Sequence, residues 1–318
     1  MDEQATDYLP VEVVKAVGRW PVPHPIPYQG SKRNLAQVIL SYFPDQFERL
    51  VEPFAGSAAI SLASAYRKLT DRFWINDGHE PIVHLWTEIV ERPRELAAEY
   101  EQLWMSQIGQ ERTFYDHVRA EFNHNRRPAL FLYLLARCVK AAIRYNGSGE
   151  FNNSPDNRRK GAAPETMRSR IEGAAELLRG RTKVTCADYL TILDQCKASD
   201  VIYMDPPYQG VCGNRDNRYA PKIDHEEFCD ALARLNESGR MYAVSYDGRM
   251  DAKIYGKPLP LQLNLVHIEI FAGRSTQATL LGRTSNTFES LYLSPALAEI
   301  ISASSRRRPS DSQQAFCW

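Results

Sequence analysis

The sequence predicts an α/β protein whose doubly wound, mostly parallel sheet is interrupted by a helical insertion. Strands and helices alternate at the start of the chain and strands return near its end, whereas the middle shows only helical spacing of apolar residues. We therefore expect an N-terminal extension, a sheet domain in two parts, an insertion and a disordered tail, at 1–25, 26–90 with 180–297, 91–179 and 298–318.

The first part of the sheet domain follows a proline-rich stretch, "RWPVPHPIP", that is unsuited to regular structure. "YQGSKRNLAQVILSYF" predicts a loop that enters a helix, and "ERLVEPFAG" predicts a short strand that ends at a glycine turn. "SAAISLASAYRKL" is helical, "RFWIND" is the next strand, and "EPIVHLWTEIVE" begins the next helix. This order of elements is typical of parallel neighbouring strands.

The insertion contains three helical segments, "PRELAAEYEQLWMSQI", "TFYDHVRAEF" and "PALFLYLLARCVKAAIRY". The polar stretch "NGSGEFNNSPDNRRKGAAP" then predicts a short hairpin and a loop, and "ETMRSRIEGAAELLRG" predicts another helix. Strands return at "KVTCAD", "VIYMD", "MYAVSYD", "LNLVHIEIF" and "TFESLYLS". The insertion thus separates two parts of one sheet.

Composition is typical of a globular protein, with 318 residues, 43% hydrophobic and 25% charged. No apolar run reaches the length of a membrane span and no signal peptide opens the chain, so we expect a cytoplasmic protein without a membrane partner. The six cysteines form no C-x-x-C pair and the seven histidines lack ligand spacing. We expect reduced thiols and no metal site.

The net charge is zero, but positive charge is concentrated in one region. Residues 126–183 contain 13 Lys or Arg against 5 Asp or Glu. This asymmetry indicates a basic face for a polyanion, although solvated helix faces would produce the same pattern.

A glycine turn, "VEPFAGSAA", follows the first predicted strand of the sheet domain. Asp77 ends the next strand, 21 residues after Gly56, and this spacing is typical of an acid that binds the ribose of a nucleotide. The full G-x-G-x-x-G motif is absent, which favours a nucleoside without a pyrophosphate. An ordinary turn between strand and helix remains the alternative.

The stretch "VIYMDPPYQG" places an acid, two prolines and an aromatic ring at the end of a buried strand. An amino group on an aromatic base is a poor nucleophile because its lone pair is delocalised. The Asp205 carboxylate and the Pro206 carbonyl could accept its two N–H groups, Pro207 would stiffen the turn, and an extruded base could stack on Tyr208. These residue types suit methylation of an exocyclic amino group; a structural Pro-Pro turn is the alternative.

Together these motifs resemble the Dam-type, or alpha-class, N6-adenine-specific DNA methyltransferases from about Tyr28 to Pro295. "DPPY" resembles the catalytic motif, "VEPFAGSAA" the methyl-donor loop, "PYQGSKRNL" the amino-terminal motif and "IRYNGSGEFN" the DNA-reading hairpin. The resemblance implies the class I S-adenosylmethionine-dependent methyltransferase fold and a helical target-recognition insertion. The chain departs from the family pattern at Ser57, Ala58, Gly78 and His79, and it lacks a Val-Pro-Phe-Gly continuation after the hairpin.

The resemblance also implies roles for individual residues. Catalysis would fall to Asp205, Pro206, Pro207 and Tyr208. S-adenosyl-L-methionine would be bound by seven residues, Tyr28, Lys32, Phe54, Gly56, Asp77, Asp188 and Asp205. In this family an acidic first residue of the motif is typical of adenine enzymes, whereas N4-cytosine enzymes usually begin it with serine.

Six residues of the insertion are expected to bind double-stranded DNA. Arginine reads guanine and asparagine reads adenine in the major groove, which favours Arg144, Asn146 and Asn152 as base readers. The run Arg158, Arg159 and Lys160 would meet phosphates. A surface loop without a ligand is the alternative, and Arg144 could instead brace the hairpin; Arg274 and Arg283 are weaker candidates.

The expected function is site-specific methylation of adenine N6 in duplex DNA by base flipping, in a nucleoid-associated enzyme of a restriction-modification or related system. A cognate restriction endonuclease would act separately. Three alternatives remain open: methylation of cytosine N4, methylation of adenine in RNA, and a non-catalytic DNA-binding subunit with the same fold.

Overall fold

In the part of the chain that the structure describes, nine strands form a mixed sheet at the centre of the protein. The computed structural model describes residues 12–15, 20–207, 223–250, 253–255, 257–274 and 286–307. The strands are β1 Glu12–Lys15, β2 Arg49–Glu52, β3 Phe73–Asn76, β4 Thr182–Thr185, β5 Asp200–Met204, β6 Met241–Met250, β7 Lys253–Tyr255, β8 Val266–Arg274 and β9 Asn286–Leu293.

The strand order is β1-β8-β9-β6-β5-β2-β3-β4, and β7 pairs with β6. The neighbours from β6 to β4 are all parallel, whereas β9 is antiparallel to both β6 and β8. The chain runs outward from β2 through β3 to β4 and then returns to β5 on the other side of β2. The order therefore reverses between β2 and β5, where ligands bind in open α/β sheets, beyond the carboxyl ends of the strands.

Helices cover both faces of this sheet. The described α-helices are α1 Ala36–Ser41, α2 Ala59–Arg67, α3 Glu80–Glu91, α4 Pro93–Ser106, α5 Glu111–Asn125, α6 Pro128–Arg137, α7 Pro164–Leu178, α8 Tyr189–Asp194, α9 His225–Glu237 and α10 Pro295–Arg307. One hydrophobic core lies beneath α1 to α3 and α7, and a second beneath α8 and α9. The predicted fold class is confirmed. None of the described helices is long and apolar enough to cross a membrane.

The insertion is packed onto the sheet domain rather than standing apart from it. Its fully buried aromatic residues Tyr115, Phe122, Phe131 and Phe151 belong to the same core as Trp86 of α3. Helix α4 runs beside α7 and α6. A continuous core of this kind fixes the insertion relative to the carboxyl ends of β2 and β3.

One expectation about the ends of the chain is wrong. The extension contains β1, which pairs in parallel with β8, and the proline-rich stretch after it is irregular from residue 20 onward, as expected. The predicted tail begins inside α10, which extends to Arg307. This helix forms because Leu297 is fully buried and Ile301, one turn later, packs on the same core. Residues 308–318 lie outside the described part of the chain.

Candidate active site

A tight turn, residues 53–57, follows β2 and is called the glycine loop below. Gly56 has φ of +48°, which L side chains rarely adopt. A Cβ atom at Gly56 would lie 3.1 Å from two ring carbons of Tyr28. Glycine therefore allows the Tyr28 ring to lie directly against the loop, and the structure brings these two predicted residues together.

Asp77 follows β3 and holds the glycine loop from the neighbouring strand. Its Oδ2 accepts a hydrogen bond of 2.8 Å from the Gly56 N–H, and its Oδ1 accepts one of 2.8 Å from the His79 N–H. Burial raises the pKa of Asp77, although these two N–H groups oppose the rise. Each carboxylate oxygen accepts one backbone donor here and has a further lone pair available to a hydroxyl group.

An aromatic wall stands beside the glycine loop. The Phe54 ring lies 5.1 Å from Tyr189 and 6.5 Å from Phe228, measured between ring centroids. Asp188 caps α8, since its Oδ1 accepts a hydrogen bond of 2.9 Å from Leu190 N–H, and its side chain is exposed. The wall thus has an apolar face and a carboxylate at its rim, which suits a planar heterocycle with an amino group.

Asp205 stands at the carboxyl end of β5, on the other side of the switch point. The Lys32 Nζ lies 2.9 Å from Asp205 Oδ1 and 3.6 Å from Glu289 Oε2, and the Lys32 side chain is 6% exposed. Burial alone would lower the pKa of Lys32, but the two carboxylates outweigh it and the pKa is raised. Lys32 therefore remains a buried cation that favours the ionised form of Asp205.

The prolines after Asp205 lie at the end of the strand as expected. Pro206 is buried and Pro207 is exposed, and neither continues the strand. Tyr208 lies outside the described residues. The first three residues of the "DPPY" motif thus lie at the carboxyl end of β5.

Several residues around the site have no counterpart in the sequence predictions. Glu289 approaches Lys32 from the antiparallel strand β9, and its only sequence signal was that it is the one charged residue of that strand. Ser57 donates a hydrogen bond of 2.8 Å to Ser31 and so links the glycine loop to the Lys32 loop. Glu52 is buried at the end of β2, and burial raises its pKa to about 7.

The predicted hairpin is present at the start of the polar segment, residues 144–160. Tyr145 and Phe151 form its antiparallel bridge, and Asn152 N–H donates a hydrogen bond of 3.0 Å to the Arg144 carbonyl. Asn146 uses its side chain inside the turn: it donates to Glu150 Oε2 at 2.8 Å and accepts from two backbone N–H groups. Asn152 is exposed.

The basic run at the end of the polar segment is exposed, but its three residues differ in their ion pairs. Lys160 Nζ lies 2.8 Å from Glu111 and Arg159 Nε lies 3.6 Å from Asp156. Among the described residues the Arg158 side chain has no such pair. Arg274 ends β8, and Arg283 lies outside the described part of the chain.

One side-chain contact joins the turn after β3 to the hairpin. The His79 Nε2 lies 2.6 Å from the Tyr145 hydroxyl, and the two rings are 5.5 Å apart between centroids. His79 comes two residues after Asp77 in the turn that begins α3. No local pattern in the sequence indicates this contact, since its partners are 66 residues apart in the chain.

The chain is similar to one known family and to several of its individual members. A sequence model of the D12 class of N6 adenine-specific DNA methyltransferases matches residues 28–303. The retron Ec67 DNA adenine methylase of Escherichia coli is 27% identical over 224 residues, covering 69% of this chain and 75% of the relative. The DNA adenine methylase of Serratia marcescens is 30% identical over 185 residues, covering 57% of this chain and 65% of the relative.

A third relative is much longer than the region it shares. The DNA N-6-adenine-methyltransferase of Escherichia phage P1 is 27% identical over 187 residues, covering 57% of this chain and 23% of the relative. The family match spans both parts of the sheet domain and the whole insertion, including the glycine loop, Asp77 and Asp205. The chain therefore belongs to the D12 class of N6 adenine-specific DNA methyltransferases.

Proposed function

We propose that this protein transfers the methyl group of S-adenosylmethionine to N6 of adenine in duplex DNA, with Asp205 acting on the target amino group. The observation that carries the proposal is the position of Asp205. It follows β5 beside the switch point, next to the glycine loop that follows β2. A donor on one side of this point would lie next to an acceptor on the other.

The donor would be held by the glycine loop and its neighbours. Asp77 is supported as the ribose-binding acid because its carboxylate retains acceptor capacity after bonding Gly56 and His79. Phe54 would contact the adenine ring of the donor, and the exposed Asp188 carboxylate would accept a hydrogen bond from the amino group of that ring. The close approach of Tyr28 to Gly56 leaves a flat aromatic surface along the loop, which fits a nucleoside without a pyrophosphate.

S-adenosylmethionine supplies, when bound, an electrophilic methyl group on a sulfonium. The protein's part is to make the target nitrogen a better nucleophile. The Asp205 carboxylate accepts one N–H of the amino group and the Pro206 carbonyl accepts the other, which moves the nitrogen towards tetrahedral geometry. Lys32 keeps Asp205 ionised from 2.9 Å away, so that the acceptor is preorganised before the target arrives.

Access to the amino group requires the adenine to leave the duplex stack. Tyr208 would offer the extruded base a stacking surface next to Asp205. DNA would lie along the polar segment, where Asn152 and Arg158 are exposed and where the insertion carries its excess of positive charge. Arg144 stays a proposed reader at the base of the hairpin.

Two assays test the proposal. Incubation of unmethylated plasmid DNA with the protein and tritiated S-adenosylmethionine should transfer label to DNA, and long-read sequencing of DNA from expressing cells should report N6-methyladenine in one sequence context. Label on cytosine or only on RNA would replace the proposal with one of those substrates. DNA binding without label would indicate a non-catalytic subunit.

A further inference from the structure

His79 contacts both of the regions assigned to donor and DNA, through different atoms. Its backbone N–H donates 2.8 Å to Asp77 Oδ1, and its ring Nε2 lies 2.6 Å from the Tyr145 hydroxyl. Because His79 is the residue immediately before α3, the positions of its backbone and its ring are set together. One residue therefore joins the Asp77 carboxylate to the base of the hairpin.

The hairpin end of this link is firmly built. Tyr145 pairs with Phe151, and the Phe151 backbone is held to Asn123 of α5 by hydrogen bonds of 2.7 Å and 3.1 Å. The Arg126 guanidinium lies 5.7 Å from the centre of the Tyr145 ring and donates 2.8 Å to the Gly149 carbonyl at the tip. The Tyr145 ring is thus a fixed point from which the exposed tip projects.

The His79 ring is neutral at physiological pH. Burial, and then the charge of Arg126, lower the pKa of His79 to about 4. Its Nδ1 is buried and has no hydrogen-bond partner among the described residues. The Tyr145 hydroxyl is therefore the hydrogen-bond partner of the ring within the described chain, and the ring also packs against Phe131, with 5.7 Å between the centroids.

We propose that His79 is a positioning residue that couples donor binding to DNA recognition. A ribose that donates its hydroxyl groups to Asp77 shares this carboxylate with the His79 N–H, which donates to Oδ1, and so changes the favoured position of His79. The resulting preference for one placement of His79 is carried by its ring to Tyr145 and the hairpin. The inference rests on the proposed function, because it takes Asp77 as the donor acid and the hairpin as a DNA contact.

Coupling of this kind is reciprocal, so it is measured as a ratio of donor affinities. Titration calorimetry with S-adenosylhomocysteine, the reaction product, gives the dissociation constant without DNA and with a duplex that carries the sequence identified by long-read sequencing. The ratio for the wild type should be at least about fivefold, the lower end of typical couplings. In Tyr145→Phe, which keeps the ring and removes only the hydroxyl, the ratio should fall to about one.

A matched control removes the same group elsewhere in the insertion. The Tyr100 hydroxyl donates 2.8 Å to the Ala162 carbonyl and has no contact with His79, so Tyr100→Phe should keep the wild-type ratio. His79→Phe and the double variant should lose no more coupling than Tyr145→Phe alone, because all three remove one bond. The backbone bond of 3.2 Å from Gln29 N–H to the Ala141 carbonyl still fastens the insertion in each variant.

The outcomes separate the coupling from the proposed function. If the wild type methylates DNA and Tyr145→Phe keeps the full ratio, the coupling is overturned while the proposed function stands. A wild-type ratio of about one in a methylating enzyme overturns it equally. If the wild type binds no S-adenosylhomocysteine and transfers no label, the proposed function itself has failed.

Discussion

The glycine loop and the polar segment differ in what holds each of them in place. The glycine loop is fixed from outside, by the Asp77 carboxylate on its backbone and by Tyr28 against Gly56. The polar segment is held partly by its own side chains, since Asn146 makes three hydrogen bonds within the hairpin turn, and partly by Asn123 and Arg126, which bond its backbone. The carboxyl ends of the strands thus leave side chains available for a ligand, whereas the hairpin offers only those that its own structure does not use.

The largest effect should come from a residue at the carboxyl end of β5. Asp205→Asn should lower the rate of methyl transfer by about 10²–10³, the usual cost of losing one preorganised electrostatic partner. Binding of S-adenosylhomocysteine should remain largely intact, because the carboxylate acts on the target amino group. Single-turnover assays with calorimetry on the same preparation check both. Asp194→Asn, an exchange in α8 away from the site, is the control; wild-type turnover in Asp205→Asn would remove Asp205 from the mechanism.

A second prediction concerns the effect of Glu52, the last residue of β2, on protein stability. The pKa of Glu52 rises on folding from its ordinary 4.5 to about 7 because the group is buried. The folded state therefore favours the protonated carboxyl, and its contribution to stability is present below pH 4.5 and lost as pH rises through 7. Glu52→Gln should gain stability relative to the wild type between pH 5 and pH 8, by on the order of 3 kcal/mol.

Urea denaturation of both proteins at the two pH values measures this difference. The side-chain amide oxygen in Glu52→Gln keeps an acceptor for the Ser61 N–H, which Glu52 now binds at 3.0 Å. Glu237→Gln, an exchange at an exposed position of α9, should leave the pH dependence as it is in the wild type. Parallel pH curves for Glu52→Gln and the wild type would show that Glu52 ionises normally in the fold.

The third prediction tests whether the glycine loop depends on Asp77 for binding. Asp77→Ala removes the acceptor expected for the ribose and releases two backbone N–H groups. Donor affinity should weaken by about 1–3 kcal/mol, the range for hydrogen bonds to a charged group. Calorimetry with S-adenosylhomocysteine gives the value, and an unchanged dissociation constant would place the ribose acid elsewhere.

Much of the site at the carboxyl ends of β2 and β5 could be predicted from the sequence, because its signals are local. The strand β5 is a mostly apolar, buried run followed by two prolines, and β2 is followed by a turn in which Gly56 has a positive φ. The partners of Lys32 could not be predicted in the same way. Glu289 lies on a strand more than 250 residues later in the chain, and only the position of β9 in the sheet brings the two together.

The ends of the chain and the polar segment were less predictable for a different reason. The strand β1 has four residues and is recognised only by its pairing with β8. In the hairpin, Asn146 has the residue type of a base reader, yet its side chain completes the turn. Asparagine serves both purposes equally well, so residue type alone could not separate Asn146 from Asn152.

The fourth prediction separates these two asparagines. Asn146→Ala should lower the free energy of unfolding by about 1–2 kcal/mol, because it removes the hydrogen bonds of the turn. Asn152→Ala should change stability by less than about 0.5 kcal/mol, as expected of an exposed position, but should lower discrimination between target and near-target sites by about 1–3 kcal/mol. Urea denaturation and methylation rates on single-mismatch duplexes measure the two effects; equal discrimination in Asn152→Ala and the wild type would exclude Asn152 as a reader.

The smallest effect is expected within the basic run, where ion pairs distinguish otherwise similar residues. Removal of one phosphate-binding cation should reduce the slope of log affinity against log salt by about 0.9 on duplex DNA. Arg158→Gln should produce this full reduction, because Arg158 has no ion pair among the described residues. Lys160→Gln should produce less, since Lys160 is held 2.8 Å from Glu111 and gives up that pair to reach a phosphate.

The same reasoning predicts the effect of removing the Glu111 carboxylate, which competes with phosphate for Lys160, instead of the cation itself. Glu111→Gln leaves Lys160 without its carboxylate, so the salt dependence should become steeper, towards one additional phosphate contact, on all sequences alike. Fluorescence anisotropy with one labelled duplex across a salt series measures all three variants against the wild type. If Arg158→Gln and Lys160→Gln reduce the slope equally while Glu111→Gln leaves it unchanged, the ion pair to Glu111 does not limit DNA binding. All three residues of the basic run would then contact DNA. In that case only the asparagines would divide into one that the hairpin uses, Asn146, and one that is left for a ligand, Asn152.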